Sequence, residues 1–456
     1  MPISPQSQHP VPSAELRAQI RAFGLWDWGT SAFSSVILTF VFAAYITSGA
    51  AVHGIAGDEA ITAAKDSAAA VLSGAQTWAA VAIALLAPLL GTLADTGGWR
   101  NALLRGFTLA TAAIVALLVL VEKSPEFVLL GSVLIAAASV TVELAFVFVN
   151  SVLPQISTEQ NRGRISGTAW ALGYWGSIIC LGLVLVLFVM PGTGLLGITG
   201  DKGWNFRIMA VFVAVWILVF TLPIMRHLPA SPRDPSAPRW TPWGGYRHIG
   251  VRLWRAWRDE PVMLHYLIAS AIYRDGLGAV FSLAGVIAAN AYGFSTPMII
   301  LFGIAANLIA GVGVFLGGRL DDLVGPRTVI ITALVSVIGC GVVILLSPAT
   351  LTFWIAGLAL CFFVGPINAS SRNLLTRLSH PDRYTENFGL YATSGRAFGF
   401  LGMGAFTLAV TLGGTRMGIA GILAVLLLGL LAFLPARLGA AGAAAARTGG
   451  AGAVKA

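Results

Sequence analysis

The chain contains twelve apolar stretches, each long enough to cross a lipid bilayer. A membrane-spanning helix needs about 20 predominantly apolar residues, because lipid offers no hydrogen-bonding partner to an unpaired peptide group. With 57% hydrophobic and only 10% charged residues, the composition lies far from the roughly 25% charged residues of soluble domains. We therefore predict an all-α membrane protein with spans at residues 23–47, 71–94, 102–121, 127–150, 165–190, 206–225, 262–290, 297–317, 328–346, 351–370, 388–412 and 418–435.

The distribution of basic residues between the spans predicts the orientation of the chain, because Lys and Arg stay preferentially in cytoplasmic loops. Of the 28 basic residues, two, Arg274 and Arg396, lie deep within predicted spans, and 21 lie in the tails and in or at the edges of alternate gaps, whereas the other gaps and their edges hold five, which are Lys65, Lys123, Lys202, Arg207 and Arg416. Both termini are therefore predicted to be cytoplasmic, in a multi-pass protein of the plasma (inner) membrane. The net charge of +9 needs no nucleic acid as a partner, and we expect this basic surface to meet membrane lipids.

The longest polar gap divides the spans into two groups of six. It is rich in proline and ends in a segment of arginines and tryptophans, which is typical of an extended linker. The Ala/Gly-rich end of the chain is predicted to be disordered. The predicted organisation is a cytoplasmic N-terminal segment (1–22), an N-terminal six-helix bundle (23–226), a cytoplasmic linker (227–261), a C-terminal six-helix bundle (262–436) and a cytoplasmic tail (437–456).

The same ten-residue pattern, G-x-x-x-D-x-x-G-x-R, follows the second and the eighth predicted span, 227 residues apart. Its recurrence at equivalent places indicates a duplicated six-span unit, and hence two pseudo-symmetric bundles. Glycine permits a tight turn and a close helix approach, and the aspartate can cap or pair at a helix end. Gating loops and ordinary capped turns remain equally open interpretations of the pattern residues, which are Gly91, Asp95, Gly98 and Arg100, and Gly318, Asp322, Gly325 and Arg327.

These repeated loops resemble the signature of the major facilitator superfamily, and the resemblance covers nearly the whole chain. More narrowly, the chain is similar to the vacuole-effluxer-like branch, on the segments 25–33 (LWDWGTSAF), 164–167 (RISG), 172–176 (LGYWG) and 388–391 (FGLY). It departs from the usual loop at Trp99 and Pro326. The resemblance implies transport of a small solute, with amino-acid efflux attributed to the vacuolar members of that branch.

Ionisable residues within spans are costly in lipid and are therefore candidates for function. We predict that five of them bind the solute or couple its movement to protons, namely Asp27, Glu143, Arg274, Asp275 and Arg396. Asp27 is assigned to a cytoplasmic gate, the last three are placed near the middle of the membrane, and Glu143 is a candidate partner for one arginine. A permanent structural ion-pair network is the alternative. Trp26, Tyr174 and Asn307 are candidate cavity-lining residues.

The sequence lacks the motifs of other classes of membrane protein that we considered. There is no G-x-x-x-x-G-K-[ST] loop for an ATP-driven pump, and the six histidines and three cysteines show no metal-binding spacing. We therefore predict a monomeric secondary transporter that works by alternating access, with protons as a hypothetical coupling ion, and not an enzyme; no cofactor and no metal are expected. The alternative is a transporter-like receptor or scaffold that binds a solute without moving it.

Overall fold

A computed structural model describes residues 13–189, 194–231, 258, 261–294, 296–380 and 383–435. Most of the predicted linker and the whole predicted tail lie outside these residues. The described chain holds twelve helical segments long and apolar enough to cross a membrane, which confirms the predicted fold class. They are numbered α1 to α12 in chain order: Ala14–Ala50, Asp58–Ala94, Arg100–Leu120, Pro125–Gln155, Arg162–Val189, Asp201–Arg226, Pro261–Gly285, Leu301–Val324, Pro326–Leu346, Thr350–Leu378, Tyr384–Gly413 and Arg416–Phe433.

The helices form two bundles, α1–α6 and α7–α12, that meet along two helix pairs. Within the bundles α1 packs against α5 and α6, α3 packs against α4, and α7 packs against α12. Between the bundles α5 packs against α8, and α2 packs against α11. These two pairs are equivalent under the internal repeat, since α2 corresponds to α8 and α5 to α11. The duplicated sequence therefore gives a two-fold related interface between the bundles.

Three helices extend beyond the stretches that hydropathy predicts. The helix of α2 runs from Asp58 to Gly97, so most of the expected external loop 48–70 is helical. The helix of α8 continues to Val324 and that of α10 to Leu378. The last turns of α8 and α10 are polar, yet several of their side chains are buried. Polar groups are tolerated there because the opposite bundle supplies hydrogen-bonding partners.

Irregular segments interrupt several spans, α1 and α11 among them. In α1, residues Phe33–Phe40 and Tyr45–Ala50 are wound more widely than an α-helix, and Val41 donates to the carbonyl of Val36, five residues back, at 3.1 Å. In α11, the helix Tyr384–Ala397 ends, and a new helix begins at Leu401. Such wide turns and breaks free backbone groups and change the direction of side chains. The first wide segment of α1 contributes Ser34, Ser35, Thr39 and Phe40 to the wall of a cavity between the bundles.

The last two spans form a tight hairpin. The helical segment Leu401–Phe433 contains both the outer part of α11 and the whole of α12. It must reverse direction, because Gly421 packs against the backbone of Ala405, sixteen residues earlier. Arg416, at the beginning of α12, donates from Nε to the carbonyl of Leu345 at 2.9 Å. This bond fixes the hairpin to the end of α9.

Candidate functional site

A cavity of about 570 Å³ lies between the two bundles. Its wall combines hydroxyl and amide groups, several aromatic rings and four ionisable side chains, contributed by both halves of the repeat. The predicted lining residues Trp26, Tyr174 and Asn307 line it, as do Asp27, Glu143 and Arg274. The remaining lining residues are Thr30, Ser31, Ser34, Ser35, Thr39, Phe40, Val142, Phe146, Trp170, Gly173, Ser177, Phe281, Ser282, Asn368, Arg372 and Tyr391.

Glu143 and Arg396 form an ion pair across the bundles. Arg396 Nη2 on α11 lies 2.9 Å from Glu143 Oε1 on α4. The arginine side chain is 39% exposed and the glutamate side chain 38%. Such a half-exposed pair contributes little to stability, because water competes for both charges. Each of the two side chains can therefore exchange the other for a charged group of a solute at little cost in stability.

Arg274 and Asp275 do not pair with each other, and each contacts a different part of α11. The guanidinium of Arg274 lies 3.7 Å from the ring centroid of Tyr391 and donates to the Tyr391 carbonyl at 3.1 Å. Asp275 Oδ2 accepts from the backbone N–H of Gly402 at 2.5 Å. Within the part of the chain that the structure describes, no carboxylate lies within 4.0 Å of Arg274. Its positive charge therefore faces the cavity without an anionic partner.

Arg372 is a site residue that the sequence analysis missed. It was counted among the cytoplasmic loop residues, but the structure places it inside α10 with 1% of its surface exposed. Hydropathy predicted that this span ends at residue 370, because the four residues after Ala369, which are Ser370, Ser371, Arg372 and Asn373, are all polar. The uninterrupted run from Ser370 to Leu378, without Pro or Gly, was the available signal that the helix continues.

The partners of Arg372 belong to the first bundle. Nη1 donates to Asn150 Oδ1 at 2.7 Å, and Nη2 donates to the carbonyl of Ser166 at 2.9 Å. Nη1 also lies 3.7 Å from Asp27 Oδ2. The predicted gate residue Asp27 is thus buried at the wall of the cavity, where it pairs with an arginine from the opposite bundle. This cluster links α10 to α1, α4 and α5.

The second copy of the repeated pattern joins the bundles at one end of the cavity. Asp322 Oδ1 accepts from the N–H of Gly163 at 2.7 Å, and Oδ2 accepts from the N–H of Arg164 at 2.9 Å. These are the first turn of α5, where unpaired N–H groups and the helix dipole favour an anion. A β-carbon on Gly167 would lie only 2.7 Å from the Cα of Gly318. Glycine is therefore required for this helix approach.

The first copy of the pattern has a different set of contacts. A β-carbon on Gly91 would lie 2.8 Å from the carbonyl oxygen of Thr385 at the beginning of α11. Arg100 is 1% exposed and donates to the carbonyls of Pro229 and Ala230 at 3.0 and 3.1 Å. It therefore fixes the chain that leads into the linker. The side chain of Asp95 lies outside the described structure.

Neither copy is the loop that the sequence analysis expected. Gly91 lies within the helix that ends at Gly97, and Asp322 lies within the helix that ends at Val324. Gly98, with φ +71° and ψ +20°, adopts the left-handed conformation that ends a helix, whereas Gly325, with φ +84° and ψ +153°, has a positive φ but an extended ψ. Arg327, after the second break, donates to the carbonyl of Leu434 at 2.9 Å.

We call the contact surface formed by Gly91 and Gly389 on one side, and by Gly163, Gly167 and Gly318 on the other, the seam. It lies where α2 and α8 end and where α5 and α11 begin. Away from the seam, the cavity wall continues along α1 as far as Thr39 and Phe40, about 18 Å beyond Asp27 by helical rise. Phe40 is 50% exposed there. The contacts of the seam thus close one end of the cavity, whereas the wall residues Thr39 and Phe40 are exposed at its other end.

Comparisons with known proteins agree with this architecture. Residues 16–441 match the model of the family described as "Vacuole effluxer Atg22 like". A Bacillus subtilis (strain 168) protein, YxiO, described as an uncharacterized MFS-type transporter, is 25% identical over 396 residues, covering 86% of this chain and 88% of that protein.

Among solved structures, the proton:xylose symporter XylE bound to 6-bromo-6-deoxy-D-glucose matches with a TM-score of 0.69 at 13% identity, covering 92% of this chain and 95% of that one. The transporter FucP in the outward conformation matches with a TM-score of 0.67 at 13% identity, covering 93% and 98%. At such identities these structures show the fold alone. Together with the family match, they establish that the chain is an integral, multi-pass membrane protein and not an enzyme, and that it belongs to the vacuole effluxer Atg22-like family of major facilitator superfamily transporters.

Proposed function

We propose that this protein is a secondary active transporter that moves a small amphoteric solute by alternating access. The observation that carries the proposal is the polar cavity of about 570 Å³ whose wall belongs to both bundles and which is closed at the seam. Rocking of the bundles about this cavity would separate the glycines of the seam and close the opposite face. The volume lies within the range of about 300–1,000 Å³ that is usual for small-molecule sites.

The charges of the cavity favour a solute that carries both signs. Arg274 presents a cation that has no carboxylate within 4.0 Å among the described residues, which suits a carboxylate of the solute. The exchangeable pair of Glu143 and Arg396 can accept an ammonium group or a second anionic group. Aromatic and hydroxyl side chains complete the wall and suit a small organic body. Membership of the effluxer family favours an amino acid among such solutes.

Proton coupling follows from the same arrangement. Asp27 and Glu143 are carboxylates that line the cavity, and each is paired with an arginine of the opposite bundle, whereas Asp275 follows the lining residue Arg274 and binds the backbone of Gly402. A pair that exists in only one conformation makes proton affinity depend on conformation. The arginine distribution favours an orientation with the seam and both termini on the cytoplasmic side of the plasma membrane, and in that orientation the cavity would open outwards.

Purified protein in proteoliposomes tests this proposal. We expect saturable counterflow of at least one member of a panel of ¹⁴C-labelled amino acids. Arg274→Gln should weaken the binding of the transported amino acid by about 1.5–3 kcal/mol, roughly ten- to a hundredfold in Kd, because a charge-assisted hydrogen bond is lost. Arg319→Gln is the matched control, since this arginine lies at the surface of α8 over Phe315. Saturable binding without any flux would instead indicate a receptor.

A further inference from the structure

Asp321, next to the aspartate that caps α5, is the most deeply buried carboxylate of the seam. None of its surface is exposed, although it lies near the end of α8. A β-carbon on Gly163 would lie 2.6 Å from the Cβ of Asp321. The side chain is therefore enclosed between α8 and the first turn of α5, and separation of the bundles would expose it.

The hydrogen bonds of Asp321 differ from those of its neighbour. Its Oδ1 accepts from Asn373 Nδ2 at 2.6 Å, whereas its Oδ2 has no partner in hydrogen-bonding geometry within the described part of the chain; the Ser370 hydroxyl lies close to the carboxylate. Asp322, in contrast, has both oxygens bonded to backbone N–H groups of α5. Asp322 thus has the contacts of an ionised group, and Asp321 has an oxygen available for a proton.

The charges around Asp321 do not neutralise it by direct contact. Among the described residues no cationic nitrogen lies within 4.0 Å of its carboxylate. The titratable groups near it are Asp322 on α8, Arg162 and Arg164 on α5, Arg377 on α10, Glu159 before α5 and Tyr384 at the beginning of α11. Arg377 itself donates to the carbonyl of Glu159 at 3.2 Å.

The internal repeat shows that this carboxylate is not needed to end the helix. At the same offset of 227 residues, the position equivalent to Asp321 is Ala94, and it is buried between the same kinds of helix. Both copies share the pattern residues, the glycine at the end of the helix and the close approach of that helix to the opposite bundle. Only the second copy adds a second acid beside the capping one.

We propose that Asp321 is a proton-binding site that couples protonation on the seam side to closure of the seam. An ionised carboxylate without a cation in direct contact is costly to bury, whereas a neutral carboxyl group beside hydrogen-bonding groups such as Asn373 and Ser370 costs much less. Closure therefore takes up a proton, and opening releases it to water. This inference rests on the proposed alternating access, and it adds a residue that lies outside the cavity.

The sign of the effect follows from linkage. The closed seam binds the proton more tightly than the open seam, so a fall in pH on the seam side favours closure and a rise favours opening. If one proton is linked, the ratio of open to closed molecules changes by up to about tenfold for each pH unit. Solute leaving the cavity on the seam side would therefore be accompanied by a proton leaving Asp321.

Distance measurements between spin labels test this inference in the full chain. The native cysteines Cys180, Cys340 and Cys361 are replaced by Ala, and labels are placed at Gln160 and Val324, which are exposed and belong to opposite bundles. We expect the population of long distances to increase from pH 5 to pH 8, approaching tenfold per unit. Asp321→Asn should remove this pH dependence and keep the seam closed.

Two further variants make the result specific. Asp321→Ala copies Ala94 of the first repeat and should also be independent of pH. Asp322→Asn should open the seam at every pH, because the cap of α5 is weakened, but it should retain the pH dependence. A pH dependence that is absent in the parent protein, or unchanged in both Asp321 variants, would overturn the inference. Loss of solute flux with the pH dependence intact would overturn the proposed transport and leave the proton site standing.

Discussion

Arg372 is a cation of one bundle whose contacts are made with the other. Its described hydrogen bonds go to Asn150 and Ser166, and its ion pair is with Asp27. An arginine stays protonated in proteins, so it cannot escape the cost of burial by losing its charge. The charge is compatible with its present burial only while the bundles are together. The contacts of Arg372 therefore favour the conformation in which the two bundles are in contact at this point.

Replacing Arg372 by Met should destabilise this conformation more than the loss of its contacts alone would. The Asp27 carboxylate, 7% exposed, would remain buried without its cation, and breaking a buried pair on one side costs about 3–5 kcal/mol. We expect a clear fall in the thermal unfolding midpoint for Arg372→Met, and a partial recovery in the double variant with Asp27→Asn. Unfolding measured over the full double-mutant cycle checks this, and losses that simply add would show that the pair is not coupled.

Glu143 tests the alternative between a coupling residue and a fixed structural pair. Because its pair with Arg396 is half-exposed, Glu143→Gln should leave folding almost unchanged. If Glu143 carries the proton, solute uptake driven by a proton gradient should lose most of its response to that gradient, while counterflow continues. Glu126→Gln, in the first turn of α4, is the control for a changed surface charge. An unchanged response to the gradient would remove Glu143 from the mechanism.

At the scale of helices, the seam depends on residues that have no side chain. Gly318 lies against Gly163 and Gly167, and Gly389 lies against the backbone of Ala87 and Pro88. Such contacts bring two backbones together and allow van der Waals packing over a flat surface. They contain few interlocking side chains, so the helices can separate without repacking a core. This property suits a surface that opens and closes in each transport cycle.

Gly318→Ala should disfavour the closed seam. The added methyl group would lie 2.6 Å from the carbonyl oxygen of Gly163 and 2.9 Å from the Cα of Gly167, so the backbones must move apart. We expect the labels at Gln160 and Val324 to shift towards long distances. Gly303→Ala, on the same helix, would meet no heavy atom within 4 Å and should not change the distances. Equal behaviour of the two variants would show that the seam tolerates the methyl group.

The helices could be predicted from the sequence where they face lipid and must be apolar. They were harder to predict where they are polar and are buried against the other bundle. Hydropathy identified all twelve spans, because a lipid-facing helix must be apolar. It ended α10 too early, since Arg372 and Asn373 are polar groups buried by long-range partners. For the same reason it could not place Asp27 beside Arg372, which is 345 residues further along the chain. Spacing on one helix carries no information about which distant carbonyl or carboxylate will lie opposite.

At the scale of the whole molecule, the duplicated halves are equivalent in fold but not in their contacts. Asp322 of the second repeat binds the beginning of α5, whereas Arg100 of the first repeat binds the chain that leads to the linker. Duplication supplies two related surfaces that can rock against each other. The differences between the copies supply charges at defined places. An asymmetric set of charges on a symmetric frame allows one conformation to be favoured over the other.

Cross-linking the bundles at the seam should stop transport without preventing solute binding. Thr393 of α11 donates to the carbonyl of Ala84 of α2 at 3.1 Å, so cysteines at these two positions, without the native cysteines, can be joined by a short reversible reagent. The linked protein should bind solute from the open side with unchanged affinity but show no flux, and reduction should restore flux. Thr111 and Thr141, whose hydroxyls lie 2.9 Å apart within the first bundle, provide a linked control that should still transport. Flux through the protein with its bundles linked would contradict a mechanism in which the halves must separate at the seam.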